Sequence, residues 1–177
     1  KGVGALYVRR CEDIVVEAQM HGGGHERGMR SGTLATHQIA GFGLAAELAA
    51  GSLSDEQKRI SALREKFWQG LQKIGGVQLN GSFGSALPSI LNVTFSEVDG
   101  ESLLLSLQSL AISTGSACTS ASIEPSYVLR AMGVSKVDAH ASLRFSLGRY
   151  TKAGDIDKAL AAIKAALRSL RPSFVAS

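Results

Sequence analysis

Apolar and polar positions alternate along this chain in several distinct rhythms. Ile60, Leu63, Phe67, Leu71 and Ile74 recur at steps of three and four, which marks one face of an amphipathic helix. Ile156, Leu160, Ile163, Leu167 and Leu170 repeat the pattern near the end of the sequence. Leu91, Val93 and Phe95 alternate with Asn92 and Thr94, and Leu143, Phe145 and Leu147 alternate with Arg144 and Ser146, the period-two signature of strands with one apolar face. Ala5 to Arg9 also reads as a strand.

Punctuation fixes the remaining elements. Thr33 is placed to cap a helix from Leu34 to Ala50, whose small residues suit close packing and which Gly51 would stop. Gly75-Gly76 ends the next helix. A helix is expected from about Glu101 to Leu110, and another from Pro125 to Met132, with Pro near its start and Gly133 at its end. From Val77 onward the order is β, β, α, loop, α, β, α. This predicts an α/β fold in which helices pack against a mixed sheet. Domain organisation is read as 1–50, ending in a glycine-rich loop and its helix, followed by 51–177.

Composition narrows the class. The chain has 177 residues, 45% of them hydrophobic, enough to bury a core. Its net charge of +4, from 19 basic and 15 acidic side chains, comes with no long basic run, so no direct nucleic-acid binding is expected. No apolar run approaches the ~20 residues that cross a bilayer, and no signal-peptide pattern opens the sequence. Cys11 and Cys118 lie far apart without a CxxC or a paired His, which suggests neither a disulfide scaffold nor a zinc site and fits a reducing, cytoplasmic setting. The sequence opens on Lys1 and runs straight into strand-like residues, as expected of the C-terminal part of a longer protein.

Three places carry candidate chemistry. Ser113-Thr114-Gly115-Ser116-Ala117-Cys118-Thr119-Ser120-Ala121-Ser122 sets one thiol among small and hydroxylic residues, none large enough to hold the segment in a core. That displays a mobile nucleophile, able to swing over on the order of 10 Å, rather than a cysteine packed as a small hydrophobe. No Lys, Arg or His in the run would lower the pKa of this thiol, so its activation comes from elsewhere in the fold or from the substrate. The run His21–Gly32, with its glycines, Arg27, Arg30 and Ser31, suits either a phosphate at a helix start or an ordinary capped helix. His21 and His25, separated by three glycines, do not read as a metal pair, and His37 and His140 read as structural. Arg144 faces away from the apolar side of its strand, toward a carboxylate or into a surface ion pair.

The runs His21-Gly22-Gly23-Gly24-His25-Glu26-Arg27-Gly28-Met29-Arg30-Ser31-Gly32-Thr33, Ser116-Ala117-Cys118-Thr119-Ser120-Ala121-Ser122-Ile123-Glu124-Pro125-Ser126-Tyr127-Val128-Leu129-Arg130 and Leu143-Arg144-Phe145-Ser146-Leu147-Gly148-Arg149 closely resemble the iron-sulfur-cluster type of cysteine desulfurase. The resemblance implies a homodimeric, pyridoxal-phosphate-dependent enzyme of aminotransferase-like fold that converts L-cysteine to L-alanine. By the same resemblance, 1–50 is the end of the large cofactor-binding domain and 51–177 the small domain. Cys118 matches the cysteine that takes up the substrate sulfur as a persulfide, and that also shares a nascent 2Fe-2S cluster with a scaffold protein. Arg144 matches the arginine that holds the substrate carboxylate. Thr33 matches a residue that contacts the cofactor phosphate from the neighbouring subunit. Partners implied are the cluster scaffold and tRNA-thiolation carriers.

Departures accompany the match. The family's Schiff-base lysine lies in a Ser-His-Lys segment that does not occur in this sequence, and Lys1 matches a later lysine. The sequence after Arg171 is shorter than the scaffold-docking tail of the family. Two other functions stay open on the residues: a non-catalytic sulfur-acceptor or interaction module, and a lyase acting on selenocysteine.

Overall fold

The computed structural model describes residues 2–11, 13–114 and 125–171. The chain divides into two compact units, Lys1–Leu53 and Ser54–Ser177.

In the first unit the expected strand at Ala5–Arg9 is absent: these residues join no ladder among the described residues, and an unpaired strand has nothing to satisfy its main-chain groups. The glycine-rich run folds around a 3₁₀ turn at His25–Gly28, in which Glu26 and Arg27 take left-handed φ of 50° and 57°. Helix α1 runs Thr36–Ile74. It starts later than expected, so Thr33 is not its cap. The first turn is set instead by Ala35, whose carbonyl accepts from the N–H groups of Gln38 and Ile39 at 3.0 Å. Gly51 does not stop it either. A glycine inside a helix costs only about 1 kcal/mol, and the ladder continues through it, with Ser52 Oγ donating to Leu48 O at 3.0 Å. The actual stop is Gly75-Gly76, at φ of 83° and 59°, a conformation other side chains resist. The two carbonyls just past its end are held by Arg171, whose Nη1 and Nη2 donate to Gly75 O and Gly76 O at 3.3 and 2.9 Å.

The second unit follows from the alternating segments. Strands β1 (Val77–Leu79), β2 (Ile90–Phe95) and β3 (Ser142–Ser146) form one sheet in the order β1-β2-β3. The expected order of helices and strands is present, with one addition: a short helix, α4 (Lys136–His140), precedes β3, capped by Ser135 Oγ on the Asp138 N–H. Pairing also differs from the mixed sheet expected. Both ladders are antiparallel, with Leu79 opposite Val93 and Leu91 opposite Phe145. Helix α2 is Gly100–Ser106, α3 is Tyr127–Ala131 and α5 is Ala153–Leu170.

One apolar core holds the unit. Ile60, Leu63, Phe67 and Leu71 of α1, Leu91, Val93 and Phe95 of β2, Leu103 of α2, Leu143 and Phe145 of β3, and Ile156, Ile163 and Leu167 of α5 are buried together. Phe145 meets the Phe67 ring edge-on at 4.9 Å. All of these residues except Leu103 belong to the stripes or alternations visible in the sequence. The core therefore covers one face of the sheet and leaves Asn92, Thr94, Ser142 and Arg144 on the other.

Candidate active site

The outer face of the sheet is built as rows of polar residues. Asn80, one position past β1, donates its main-chain N–H to Asn92 O at 2.9 Å. Asn92 lies opposite Arg144 in the β2–β3 register. Arg144 in turn pairs with Ser113, an isolated bridge on the free side of β3. Arg144 N–H donates to Ser113 O at 2.7 Å, and Ser113 N–H donates to Arg144 O at 3.3 Å. Partners in an antiparallel ladder share a face. One row thus runs Asn80, Asn92, Arg144, Ser113 across the sheet.

Beside it lies a closed hydrogen-bond network. Asn80 Nδ2 donates to Asn92 Oδ1 at 2.7 Å and to Thr94 Oγ1 and Ser142 Oγ at 3.0 Å. Thr94 and Ser142 hydroxyls lie 2.8 Å apart, and Ser142 Oγ donates to Asp138 O at 2.7 Å. Thr94 and Ser142 are each 2% exposed, so their hydroxyls require these partners. Sequence reading did not single out this network. Its only trace there is that Asn and Thr occupy the polar positions of β2 where solvent-facing charge would serve as well.

Arg144 differs from the other buried arginines of the unit. Arg64 has an unpartnered Nε as Arg144 does, but its Nη1 and Nη2 donate to Phe83 O, Ala86 O and Leu87 O and it stacks on the Phe83 ring at 4.1 Å. Arg144 is partly buried, its Nε is closed off from solvent, and its guanidinium meets no acceptor among the described residues. A planar, permanently charged donor fork held in this way is suited to a carboxylate.

The other sequence candidates are taken in turn. Cys118, with Glu124 and most of the run around it, lies outside the described residues. What is described is its root: the segment leaves the sheet at Ser113, directly beside Arg144. Thr33 is exposed in the first unit, three residues before α1. Nearby, His25 Nδ1 accepts from the Gly32 N–H at 3.4 Å, and Arg30 Nη1 donates to Gly32 O at 3.3 Å. His37 is exposed on α1 and His140 is partly buried in α4. Among the described residues no group of three His, Cys, Asp or Glu side chains could hold a metal ion. Among these residues no helix is long and apolar enough to cross a membrane.

Residues 1–159 match the family model described as Aminotransferase class-V. The chain belongs to that family. Among curated class-V relatives it is similar to the Cysteine desulfurase IscS of Acinetobacter baumannii (strain AYE), 58% identical over 171 residues that make up 97% of this chain and 42% of that protein. The Cysteine desulfurase IscS of Proteus mirabilis (strain HI4320) is 56% identical over 170 residues, 96% of this chain and 42% of that protein. A solved structure described as a NifS-like protein superposes with a TM-score of 0.75 at 32% identity, covering 90% of this chain and 41% of that one. The chain thus spans about two fifths of the length of the curated relatives it matches. Its α/β fold is that of the class-V, aminotransferase-like enzymes.

Proposed function

We infer that this chain carries the sulfur-accepting part of a pyridoxal-phosphate-dependent cysteine desulfurase. The observation that carries the reading is the pairing of Ser113 with Arg144, which roots the Cys118 segment beside a guanidinium that meets no acceptor among the described residues. Cys118 lies five positions beyond Ser113, an extended reach of about 16 Å. A substrate carboxylate bound at Arg144 would therefore lie within range of the thiol.

In this reading Arg144 holds the carboxylate of L-cysteine and so orients the substrate. Thr33, exposed in a basic glycine-rich segment, offers a hydroxyl suited to a phosphate oxygen of the cofactor, and the residues around it fit an anion. The cofactor, when bound, supplies an electron sink that makes the substrate sulfur electrophilic. Cys118 thiolate forms a bond to that sulfur as the substrate carbon–sulfur bond breaks. The electron pair stays with carbon, a proton is taken up there, and L-alanine leaves while Cys118 retains a persulfide. The working unit is a homodimer in the cytoplasm, with residues 1–50 ending the large domain and 51–177 forming the small one. Its acceptors are a cluster scaffold, with which Cys118 shares a transient 2Fe-2S cluster, and carriers for tRNA thiolation.

The test is Cys118→Ser in the full-length enzyme. The variant should bind cofactor and L-cysteine yet carry no persulfide, as read by alkylation and intact mass. Undiminished sulfur delivery would overturn the assignment. Comparing alanine formed from L-cysteine and L-selenocysteine separates the proposed reaction from that of a selenocysteine lyase.

A further inference from the structure

We propose that Asn92 is a second donor to the substrate carboxylate, acting with Arg144, and that Asn80 positions it. The inference rests on the carboxylate-binding reading of Arg144 given above.

Three observations carry it. Arg144 directs both its main-chain groups toward Ser113, so its pairing with Asn92 on the other side is of the non-hydrogen-bonded kind, which brings the two side chains closer together. Asn92 Oδ1 is taken by Asn80 Nδ2 at 2.7 Å, and this fixes the amide with its oxygen toward β1 and its Nδ2 the other way. Asn92 Nδ2 meets no acceptor among the described residues and is not closed off from solvent. The face therefore presents a guanidinium and an amide N–H₂ side by side, with the one acceptor oxygen of the pair already occupied. Donors without acceptors make a receptor for an anion, and two donor groups at adjacent strands match the two oxygens of a carboxylate. Asn80 touches no ligand in this arrangement. Its amide hydrogens are held by Asn92 and by the buried Thr94 and Ser142 hydroxyls, so it sets the Asn92 orientation from behind.

The experiment titrates the full chain with acetate and with L-alanine, following the main-chain amides of residues 92, 113 and 144 by NMR. Both probes should shift these signals. Asn92→Asp keeps the oxygen that Asn80 holds and turns the open donor into an acceptor, and it should weaken binding by more than about tenfold. Asn92→Ala should weaken it about tenfold, with the thermal unfolding of both variants close to that of the parent. Asn80→Ala should weaken it less and broaden the Asn92 side-chain amide signal, which a purely structural residue remote from the site would leave sharp. If Arg144→Ala weakens binding while both Asn92 variants bind like the parent, the role of Asn92 is overturned and that of Arg144 survives. If Arg144→Ala binds like the parent, the carboxylate reading of Arg144 fails, and the present inference with it.

Discussion

Ser113 and Arg144 exchange both of their main-chain hydrogen bonds, at 2.7 and 3.3 Å, in an isolated bridge that joins Ser113, outside the three strands, to the middle of β3. It joins the residue at the root of the cysteine segment to the arginine assigned to the substrate. The two are separated by 31 positions in sequence, and nothing in the local pattern of either announces the pairing. Ser113→Pro removes the N–H that donates to Arg144 O. Hydrogen exchange at the Arg144 amide should then accelerate by about tenfold, a loss of about 1.4 kcal/mol, while exchange at Val93 and Leu143 stays slow. Unchanged exchange at Arg144 would mean that the bridge contributes nothing to local order.

Arg64 pins the segment before β2. It is 6% exposed and donates to three carbonyls of residues 83–87. Arg64→Leu leaves those carbonyls to find water and removes the stack on Phe83. The expected cost is about 3 kcal/mol, read as a lower urea midpoint at unchanged slope.

Gly100 opens α2 with no room beside it, since a Cβ there would run into the main-chain carbonyl of His140. Main chain cannot turn aside, so Gly100→Ala should cost about 1–3 kcal/mol or more. Gly70 makes the instructive comparison. Its added Cβ would meet only the branched end of Leu160, which can rotate, and Gly70→Ala should cost less than Gly100→Ala in the same thermal melt.

Asp99 caps α2, accepting from the Ser102 N–H and hydroxyl at 2.8 Å. Chiefly through the Ser102 N–H, its carboxyl is held below the ordinary value. A carboxyl with a lowered folded pKa stabilises above its unfolded value and loses that contribution as the pH falls through the folded one. Glu56 behaves alike, lowered first by its hydrogen bonds from Arg59. Stability should therefore decline as the pH drops through and below about 4, the ordinary carboxylate range. The decline should be shallower in Asp99→Asn, which keeps an oxygen acceptor but cannot be protonated there. Equal acid slopes for the two proteins would refute the cap's contribution.

The apolar half of the fold was legible from spacing. The stripe from Ile60 to Ile74 and the one from Ile156 to Leu170, with the alternations around Val93 and Phe145, name nearly every residue of the core, because burial of one helix face or one strand face imposes its period directly on the sequence. The helix stop at Gly75-Gly76 was legible for a similar reason, since left-handed φ selects glycine locally. Gly51 and Thr33 misled. Each carries the right residue type for a boundary, yet a helix boundary is decided by whether the ladder is satisfied on either side of it.

The sequence by itself determined the strands and main helices from Ile60 onward, most of the core and the family likeness, because these depend on local periodicity and on long residue runs. It placed Arg144 on the polar side of its strand and no further. Only the tertiary structure decided which strands lie together and in what register, and so set Asn80, Asn92, Arg144 and Ser113 in one row. Cross-strand neighbours are fixed by chain closure over tens of residues. No window of sequence contains that information, and the candidate site consists of such neighbours.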